Sequence, residues 1–425
     1  MDCRAVILTA AALSLAAAQV SFTEHQIQVY YTRPWNVYAL DMDRDQDIDI
    51  VSAAYGAGVI SWWENPGNQQ FVRQTVAEVT GPLSVLPWDL DGDEDTDVVA
   101  AIDGEGRFAW FENDGSQNFT DHTIGYWYGA ARVHVADIDS DDDLDVAVSA
   151  CEAQPGRMGW FENEGPDSWV EHIIKDTWPY ANSVHAVDLD QDEDCDIVAT
   201  ASQAGEFCWF ENNGAQQFVE HVITDNWGRP GSAWAADLDR DDDLDLLATA
   251  CIVNEVAWWE NDGSQNFSKR VVDTGFARPH MVRPADIDRD NDVDLVSAST
   301  TGNVLAWFEN DGSQRFTRHT IADGFTGACG VDAVDVDRDN DVDVLCAGDF
   351  GNHISWWEQT ETGIFGQPQP ASRRPGPTVI DATRFRSFLQ DADILDAAGR
   401  EVLAARPGVY FRIVESSVVR LLVVD

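Results

Sequence analysis

The chain has 425 residues, of which 44% are apolar, including 17 Trp and 19 Phe. This composition supplies a large core, although the length exceeds that of a usual single domain. The formal net charge is −50, from 76 acidic and 26 basic residues. A surface this acidic repels nucleic acid and anionic lipid and attracts divalent cations, so the composition excludes nucleic acid as a partner.

The first 18 residues predict a secretory signal peptide. Arg4 gives a weakly positive start, an apolar stretch follows from Ala5 to Ala18, and its last alanines supply small residues for cleavage before Gln19. The alternative is a membrane anchor, but about 14 Ala-rich residues fall short of the roughly 20 needed to cross a bilayer. No other segment predicts a transmembrane span. We therefore expect a secreted protein, extracellular or on a bacterial cell surface.

A repeat dominates residues 19–359. A nine-residue Asp-rich run recurs every 48 to 51 residues, followed each time by an apolar segment, a turn, a Trp-aromatic-Glu motif, a second turn and a last strand-like segment. Four short strands per unit and a period near 50 are typical of a β-propeller. The runs begin at Asp41, Asp89, Asp137, Asp188, Asp237, Asp286 and Asp335.

The order of the motifs predicts how the ring closes. The last-strand motif also occurs seven times, but its first copy, at Phe22, precedes the first Asp run, and none follows Trp357. We expect the N-terminal strand to complete the last blade, which leaves no open sheet edge at the seam. The predicted fold is therefore all-β, a seven-bladed propeller closed by an N-terminal strand, with a small C-terminal β domain.

The Asp runs are candidate metal sites. Hard cations such as Ca²⁺ take six to eight oxygen ligands, and alternating residues of a tight turn can direct carboxylates at positions 1, 3, 5 and 9 toward one centre, with the carbonyl of position 7 completing the set. The seven runs hold 39 carboxylates and four Arg, which is unfavourable without a cation. The alternative is an acidic, solvated turn.

We expect up to seven structural Ca²⁺ ions. The candidate ligands are Asp41, Asp43, Asp45, Asp47 and Asp49; Asp89, Asp91, Asp93, Asp95 and Asp97; Asp137, Asp139, Asp141, Asp143 and Asp145; Asp188, Asp190, Asp192, Asp194 and Asp196; Asp237, Asp239, Asp241, Asp243 and Asp245; Asp286, Asp288, Asp290, Asp292 and Asp294; and Asp335, Asp337, Asp339, Asp341 and Asp343.

These loops, with their strands and aromatic-Glu-Asn-Asp-Gly turns, resemble the FG-GAP/VCBS repeats of integrin-α-like propellers over about residues 22–359. The resemblance implies calcium at loop positions 1, 3, 5, 7 and 9. Position 6, often Gly in that family, is Gln46, Glu94 and Glu193 in loops one, two and four, and Asp or Asn elsewhere. Asn and Asp tolerate left-handed backbone, so loops one, two and four fit the family pattern least well.

The amino-acid composition of the chain changes after residue 359. Residues 360–378 are rich in Pro and Gly and predict a linker, and residues 379–425 contain new strand-like runs. The segments DAAGREV, PGVYFRIV and the Val- and Leu-rich end resemble the C-terminal sorting domain of type IX secretion substrates. The alternative is a small accessory β domain.

Function is expected where the repeats differ, on the face opposite the acidic loops. The ligand-binding candidates in the variable connections are Trp35, Trp127, Trp178, Trp227, Arg229, Phe276 and Arg278, and those lining the channel are Tyr38, His134, His185, Trp234, Arg283 and Asp332. Aromatic rings and Arg suit sugar stacking or peptide binding. The alternative is that these rings only pack the loops.

These features favour a monomeric calcium-binding module for adhesion to a glycan or an extracellular protein. The variable connections are short and assemble no nucleophile or acid/base pair, so we do not expect an enzyme. The alternatives are a polysaccharide lyase or hydrolase and a passive component of a surface layer.

Overall fold

The computed structural model describes residues 19–152, 156–165, 167–362, 394–396, 408–414 and 417–423. The chain divides into two compact units, residues 1–363 and 364–425. The expected signal peptide lies outside the described residues, as does the expected linker from residue 363 onward. The last propeller strand continues to Thr362, three residues into that expected linker.

The first unit is a seven-bladed propeller, and each blade is a four-stranded antiparallel sheet. The first strand of every blade contacts the first strands of its two neighbours, which places these inner strands around a central axis. The inner strands are β2 (Pro34–Leu40), β6 (Pro82–Trp88), β10 (Ala130–Ala136), β14 (Ala181–Val187), β18 (Pro230–Ala236), β22 (Pro279–Ala285) and β26 (Ala328–Val334).

Three more strands complete each blade. The second strands are β3 (Asp49–Ala54), β7 (Asp97–Ile102), β11 (Asp145–Ala150), β15 (Asp196–Ala201), β19 (Asp245–Ala250), β23 (Asp294–Ser299) and β27 (Asp343–Gly348). The third strands are β4 (Val59–Glu64), β8 (Arg107–Asn113), β12 (Arg157–Asn163), β16 (Glu206–Asn212), β20 (Glu255–Asn261), β24 (Val304–Asn310) and β28 (His353–Thr362). The outer strands are β5 (Val72–Glu78), β9 (Phe119–Gly125), β13 (Trp169–Lys175), β17 (Phe218–Thr224), β21 (Phe267–Asp273), β25 (Phe316–Asp323) and β1 (Gln19–Val29).

The N-terminal strand closes the ring, which confirms the prediction from the motif order. Strand β1 pairs antiparallel with β28 in blade 7, with Phe22 opposite Gln359 and Val29 opposite His353. The last blade is therefore built from both ends of the propeller sequence, and its outer edge is made by residues that precede blade 1.

The second strands are buried along their whole length, which explains their composition. All six residues of β3 are buried, and the same holds for the second strand of every other blade. A strand covered on both faces needs a continuous run of apolar or small residues rather than an alternating pattern. Apolar clusters then join neighbouring blades, as where Trp110 of blade 2 packs in one core with Val146 and Phe161 of blade 3.

The recurring outer-strand His residues are structural. In blade 3 the His172 ring stacks on Trp160 with 4.3 Å between centroids, and its Nε2 lies 2.7 Å from Glu162 Oε2. The same His–Trp–Glu arrangement occurs in four other blades, at His25, His122, His221 and His319. These residues lie on separate blades and do not converge.

The second unit contains three described strands in one antiparallel sheet of order β29–β30–β31. They are β29 (Ile394–Asp396), β30 (Gly408–Val414) and β31 (Ser417–Val423). All three lie within residues 379–425, for which the sequence predicts strands.

Candidate functional site

The acidic loops all lie on one face of the propeller, between the first and second strands of each blade. The turn between the third and fourth strands lies on the same face, because the Asn65 amide of that turn donates to Asp49 of the loop at 2.7 Å. The other connections share the opposite face, where the Val79 amide donates to the Gly58 carbonyl at 3.0 Å. This arrangement agrees with the expected division into two faces.

Within each loop, one oxygen of a carboxylate supports the backbone. In loop one, Asp41 Oδ2 accepts the Gln46 amide at 3.0 Å, and Asp45 Oδ1 accepts the Asp47 amide at 2.8 Å. Equivalent bonds from position 7 to position 5 occur in all seven loops. At position 5 this bond uses Oδ1 and leaves Oδ2 for another partner, whereas at position 1 both oxygens accept backbone amides in loops two to five.

The carboxylate at position 9 is the most buried member of each loop. Asp49, Asp97, Asp145, Asp196, Asp245, Asp294 and Asp343 are all 0% exposed. Both oxygens accept backbone amides, as in loop three, where Ile138 donates to Asp145 Oδ2 at 2.9 Å and Asn163 to Oδ1 at 2.8 Å. This residue ties the loop to the rest of its blade.

Six loops contain a buried carboxylate oxygen without a hydrogen-bond partner among the described residues. It belongs to position 1 in Asp41, Asp286 and Asp335, and to position 3 in Asp139, Asp190 and Asp239; loop seven has a second one at position 7, in Asp341. In loop three, one oxygen each of Asp137, Asp139 and Asp145 lies within 4.8 Å of the others. Oxygens around a Ca²⁺ ion, each about 2.3–2.6 Å from the metal, have such separations, so these residues fit a hard cation.

Burial makes the charged forms of these carboxylates unfavourable when no cation is present. Burial raises the pKa of Asp145 to about 8 and that of Asp49 to about 7, against the effect of their amide hydrogen bonds. Burial, followed by the charge of Asp141, raises the pKa of Asp139 to about 6. A divalent cation bound among them would favour the ionised forms and remove this penalty.

Two residues in every loop have left-handed backbone. At position 6, φ lies between 71° and 78° in all seven loops, including Gln46, Glu94 and Glu193. The three loops that depart most from the family pattern thus have the same backbone as the others. Position 4 also has positive φ, from 59° at Arg289 to 74° at Gly92, which the sequence did not reveal.

Position 7 lies beside the next turn of its own blade. The side chain of Asp47 contacts Gly67 so closely that a Cβ atom on that glycine would lie 2.7 Å from Asp47 Oδ2. The same contact occurs at Gly115, Gly214, Gly263 and Gly312. These carboxylates are directed to the neighbouring turn, which favours the backbone carbonyl as the ligand from position 7.

Position 4 connects one loop to the next around the ring. Arg240 Nη1 lies 3.0 Å from Asp292 of loop six, and Arg338 Nη1 lies 3.6 Å from Asp47 of loop one, across the seam. Arg44 reaches Asp95 of loop two at 3.6 Å. Arg289 Nη1 donates to the Asn340 carbonyl of loop seven, so all four Arg of the acidic runs contact a neighbouring loop.

The Asn after each Trp-aromatic-Glu motif is a site residue that the sequence analysis missed. The Asn65 side-chain Nδ2 donates to the Ile48 carbonyl at 3.1 Å, and the Asn65 backbone amide donates to Asp49. Asn occupies this place in six blades and Gln359 in the seventh. Its recurrence in the Glu-Asn turn was the available signal, but only the fold shows that it contacts the acidic loop.

The family model described as FG-GAP-like repeat matches residues 41–100, 89–148, 188–248 and 286–346. Each match begins at the first Asp of an acidic loop. The chain belongs to the FG-GAP-like repeat family. This confirms the family predicted from the loop and turn motifs. No curated protein matches the chain in sequence.

Solved structures share the fold of this FG-GAP-like protein at low sequence identity. A streptogramin B lyase has a TM-score of 0.58 and 13% identity, over 80% of this chain and 98% of that one. Virginiamycin B lyase from Staphylococcus aureus has a TM-score of 0.56 and 13% identity, over 80% and 99%. BBS1N in complex with ARL6DN has a TM-score of 0.54 and 11% identity, over 80% and 97%. At these identities the likeness concerns the fold alone.

The opposite face of the FG-GAP-like propeller differs from the expected aromatic rim. Trp127, Trp178, Trp227 and Phe276 are between 1% and 6% exposed. Each ring lies against an aromatic ring of the next blade, as Trp178 does with Phe210 at 5.7 Å between centroids. Large rings at these connections seal the space between blades, so this part of the ligand-site prediction is wrong and the loop-packing alternative holds.

Only three residues of the predicted ligand site in the variable connections are accessible to solvent. Arg229 and Arg278 are exposed, and Trp35 is half-buried against His280, with 5.2 Å between ring centroids. The strongly exposed aromatic side chains on these connections are instead Tyr30, Tyr126, Tyr128 and Phe350. Among the described residues, no helix is long and apolar enough to cross a membrane.

Proposed function

We propose that the protein is a calcium-stabilised binding module that acts outside the cell. The observation that carries the calcium assignment is the buried carboxylate oxygen without a partner, which recurs in six acidic loops of the described chain. A buried acceptor without a partner is unfavourable, and a bound cation would satisfy it together with its neighbouring carboxylates. The net charge of −50 favours the same conclusion.

The proposed location supports the proposed metal. Residues 1–18 have the pattern of a signal peptide, and the tail resembles a type IX sorting domain. Extracellular Ca²⁺ sites typically bind with dissociation constants of about 10⁻⁴–10⁻³ M, which suits loops that are open to solvent. The ions would hold the loops, while a glycan or an extracellular protein would bind to the monomer on the opposite face.

Calorimetric titration of the metal-free chain with CaCl₂, with MgCl₂ as the control, tests the metal assignment. We expect saturable binding of several Ca²⁺ ions per chain and weaker binding of Mg²⁺, which requires stricter octahedral geometry. Binding of no Ca²⁺ at millimolar concentration would refute it.

Arrays of glycans and extracellular matrix proteins, probed with and without EGTA, test the binding role. We expect a ligand that is retained in calcium and lost in EGTA. A calcium-loaded chain that binds nothing on either array favours a passive surface-layer component instead.

A polysaccharide lyase or hydrolase is the competing proposal. The fold is shared with two proteins described as lyases, although only at the level of the fold. Incubation of the calcium-loaded chain with a polysaccharide panel, followed by a reducing-end assay, separates the two proposals. New reducing ends that increase with time would replace the binding role by an enzymatic one.

A further inference from the structure

Side chains from several blades meet in the central channel, at the position three residues before each acidic loop. The His185 ring stacks on Trp234 at 4.2 Å between centroids. The Arg283 guanidinium lies 4.0 Å from the centre of the same indole, and its Nη2 donates to the Tyr38 hydroxyl at 2.8 Å. Blades 1, 4, 5 and 6 therefore contribute to one cluster on the axis, which we call the channel cluster.

Arg283 is buried in this cluster without a full set of acceptors. Arg283 is 6% exposed, and its Nε has no hydrogen-bond partner among the described residues. Guanidinium has five N–H donors in a fixed plane and usually meets carboxylate or phosphate oxygens when buried. Asp332 is the neighbouring carboxylate, and its charge interacts with that of Arg283, but no hydrogen bond joins the two groups in the described part of the chain, and Asp332 Oδ2 accepts the Ala39 amide at 2.9 Å.

A second guanidinium faces the same channel. Arg132 lies on inner strand β10, two residues before His134, and its Nη1 donates to the Ala131 carbonyl at 3.1 Å. It forms no ion pair with a carboxylate among the described residues. Burial lowers the pKa of Arg132, and the nearby charge of Arg283 acts in the same direction.

Two histidines of the channel, His185 and His280, have lowered pKa values and do not change the charge of the cluster. Burial, followed by the charge of Arg132, lowers the pKa of His280 to about 4, so its ring is neutral at physiological pH. His185 is 7% exposed, and its Nδ1 has no partner in the described part of the chain. In a chain with a net charge of −50, the inner strands of the described propeller carry two guanidinium groups and one carboxylate, that of Asp332.

We propose that the central channel binds one small oxygen-bearing anion, a carboxylate or an inorganic oxyanion, through Arg132 and Arg283. Such an anion would accept the Arg283 Nε–H group and balance one buried and one half-buried positive charge, which are costly without a counterion. Arg132 is half-buried on inner strand β10. The site uses none of the acidic loops, so it is independent of the calcium assignment.

Calorimetric titration of the calcium-loaded full chain with sodium sulfate, and separately with sodium acetate, tests this site at constant ionic strength set with NaCl. We expect saturable binding of one anion per chain. The Arg132→Gln variant should bind at least tenfold more weakly, and Arg132→Lys should show an intermediate loss because it retains the charge without the planar donor pair.

Arg315→Gln is the matched control, because it removes one exposed Arg from a turn on the acidic face, where Gln70 and Gln217 occupy the corresponding place. Its anion affinity should equal that of the unmodified chain. If Arg132→Gln does not melt cooperatively, Arg283→Gln takes its place. Binding of sulfate alone would indicate an inorganic oxyanion, and binding of acetate alone a carboxylate ligand. Absence of binding for both anions, or unchanged affinity in the folded Arg variants, would overturn the proposal.

Discussion

The Asn65 amide donates to Asp49 Oδ1 at 2.7 Å, and the Met42 amide donates to Oδ2 of the same carboxylate at 3.0 Å. The last Asp of the loop thereby joins the start of its own loop to the turn after the third strand. The same pair of bonds recurs in every blade. A candidate metal ligand is therefore also a support of the fold.

Replacing that Asp should destabilise a blade even when calcium is present. In blade 5, Asp245 accepts the Leu238 amide at 2.9 Å and the Asn261 amide at 2.8 Å. Asp245→Asn exchanges one acceptor for a donor that faces an N–H group, and it removes a charge from the proposed cation. We expect a fall of about 1–3 kcal/mol in the free energy of unfolding, measured by urea denaturation in saturating calcium.

Asp242→Asn is the control for that variant, because Asn291 and Asn340 occupy the same loop position with φ of 71° and 72°. It should change the free energy of unfolding by less than about 0.5 kcal/mol. Equal effects of the two variants would show that position 9 has no special structural role.

Two glycines of blade 2 allow the energetic cost of left-handed backbone to be measured separately from the cost of a steric contact. Gly92 and Gly115 have φ of 74° and 72°, but a Cβ on Gly92 would meet nothing within 4 Å, whereas one on Gly115 would lie 2.3 Å from Asp95 Oδ2. We expect Gly92→Ala to cost about 1 kcal/mol from the left-handed backbone alone. Gly115→Ala should cost more, because Asp95 must also move. Urea denaturation of both variants checks the order, and a larger loss for Gly92→Ala would contradict it.

The buried position of Trp178 predicts a loss of stability rather than of binding alone. Trp178 is 1% exposed, and its Nε1 donates to Glu206 Oε2 at 2.5 Å. We expect Trp178→Ala to lower the free energy of unfolding by about 3–5 kcal/mol. Tyr126→Ala, at a 71% exposed ring on the same face, should change it by less than about 0.5 kcal/mol. If the Trp178→Ala chain is as stable as the unmodified one, Trp178 has no packing role, and the predicted aromatic ligand site is supported again.

One outer-strand histidine provides a pH-dependent contribution. Burial lowers the pKa of His122, but hydrogen bonds to Asp167 and Glu112 outweigh it and hold the pKa above its usual value. Because the pKa of His122 is higher in the folded chain than in the unfolded chain, protonation of its ring stabilises the folded state. This contribution is fully present below about pH 6.5, the usual pKa of His, and it is lost as the pH rises through the folded-state pKa. Asp167→Asn should therefore lower the melting temperature at about pH 5.5 and leave it unchanged at about pH 8.5.

Glu164→Gln removes a charge from the same turn, and Glu164 is exposed and makes no side-chain bond to His122. NMR titration of the His122 ring should show a clearly lower pKa in Asp167→Asn and a much smaller change in Glu164→Gln. The same pKa in both variants would exclude the Asp167 hydrogen bond as the cause.

The blades and their closure could be predicted because they depend on a pattern that recurs along the chain. The spacing of the Asp runs indicated seven units, and the early Phe22 motif indicated the strand that pairs with Gln359. The positive φ at Arg44 could not be predicted, since position 4 holds Arg, Gly, Ser and Gln with no common turn preference.

The opposite face was harder to predict because the direction of a loop side chain depends on packing between blades. Trp178 and Tyr126 are both aromatic residues in connections that precede an inner strand, yet one is buried and the other exposed. The channel candidates occupy one equivalent position, three residues before each acidic loop, so the repeat itself places them at a common level of the inner strands. Their contacts, such as Arg283 on Trp234, required the fold.

The melting temperature of the metal-free chain, compared with that of the chain saturated with Ca²⁺, tests the central claim most directly. At free calcium about ten times the dissociation constant, each site would contribute roughly 1.4 kcal/mol, and seven independent sites up to about 10 kcal/mol. We therefore predict a large rise in melting temperature with calcium and a smaller one with the same concentration of magnesium. Identical melting temperatures with and without calcium would contradict the assignment of the acidic loops as structural metal sites.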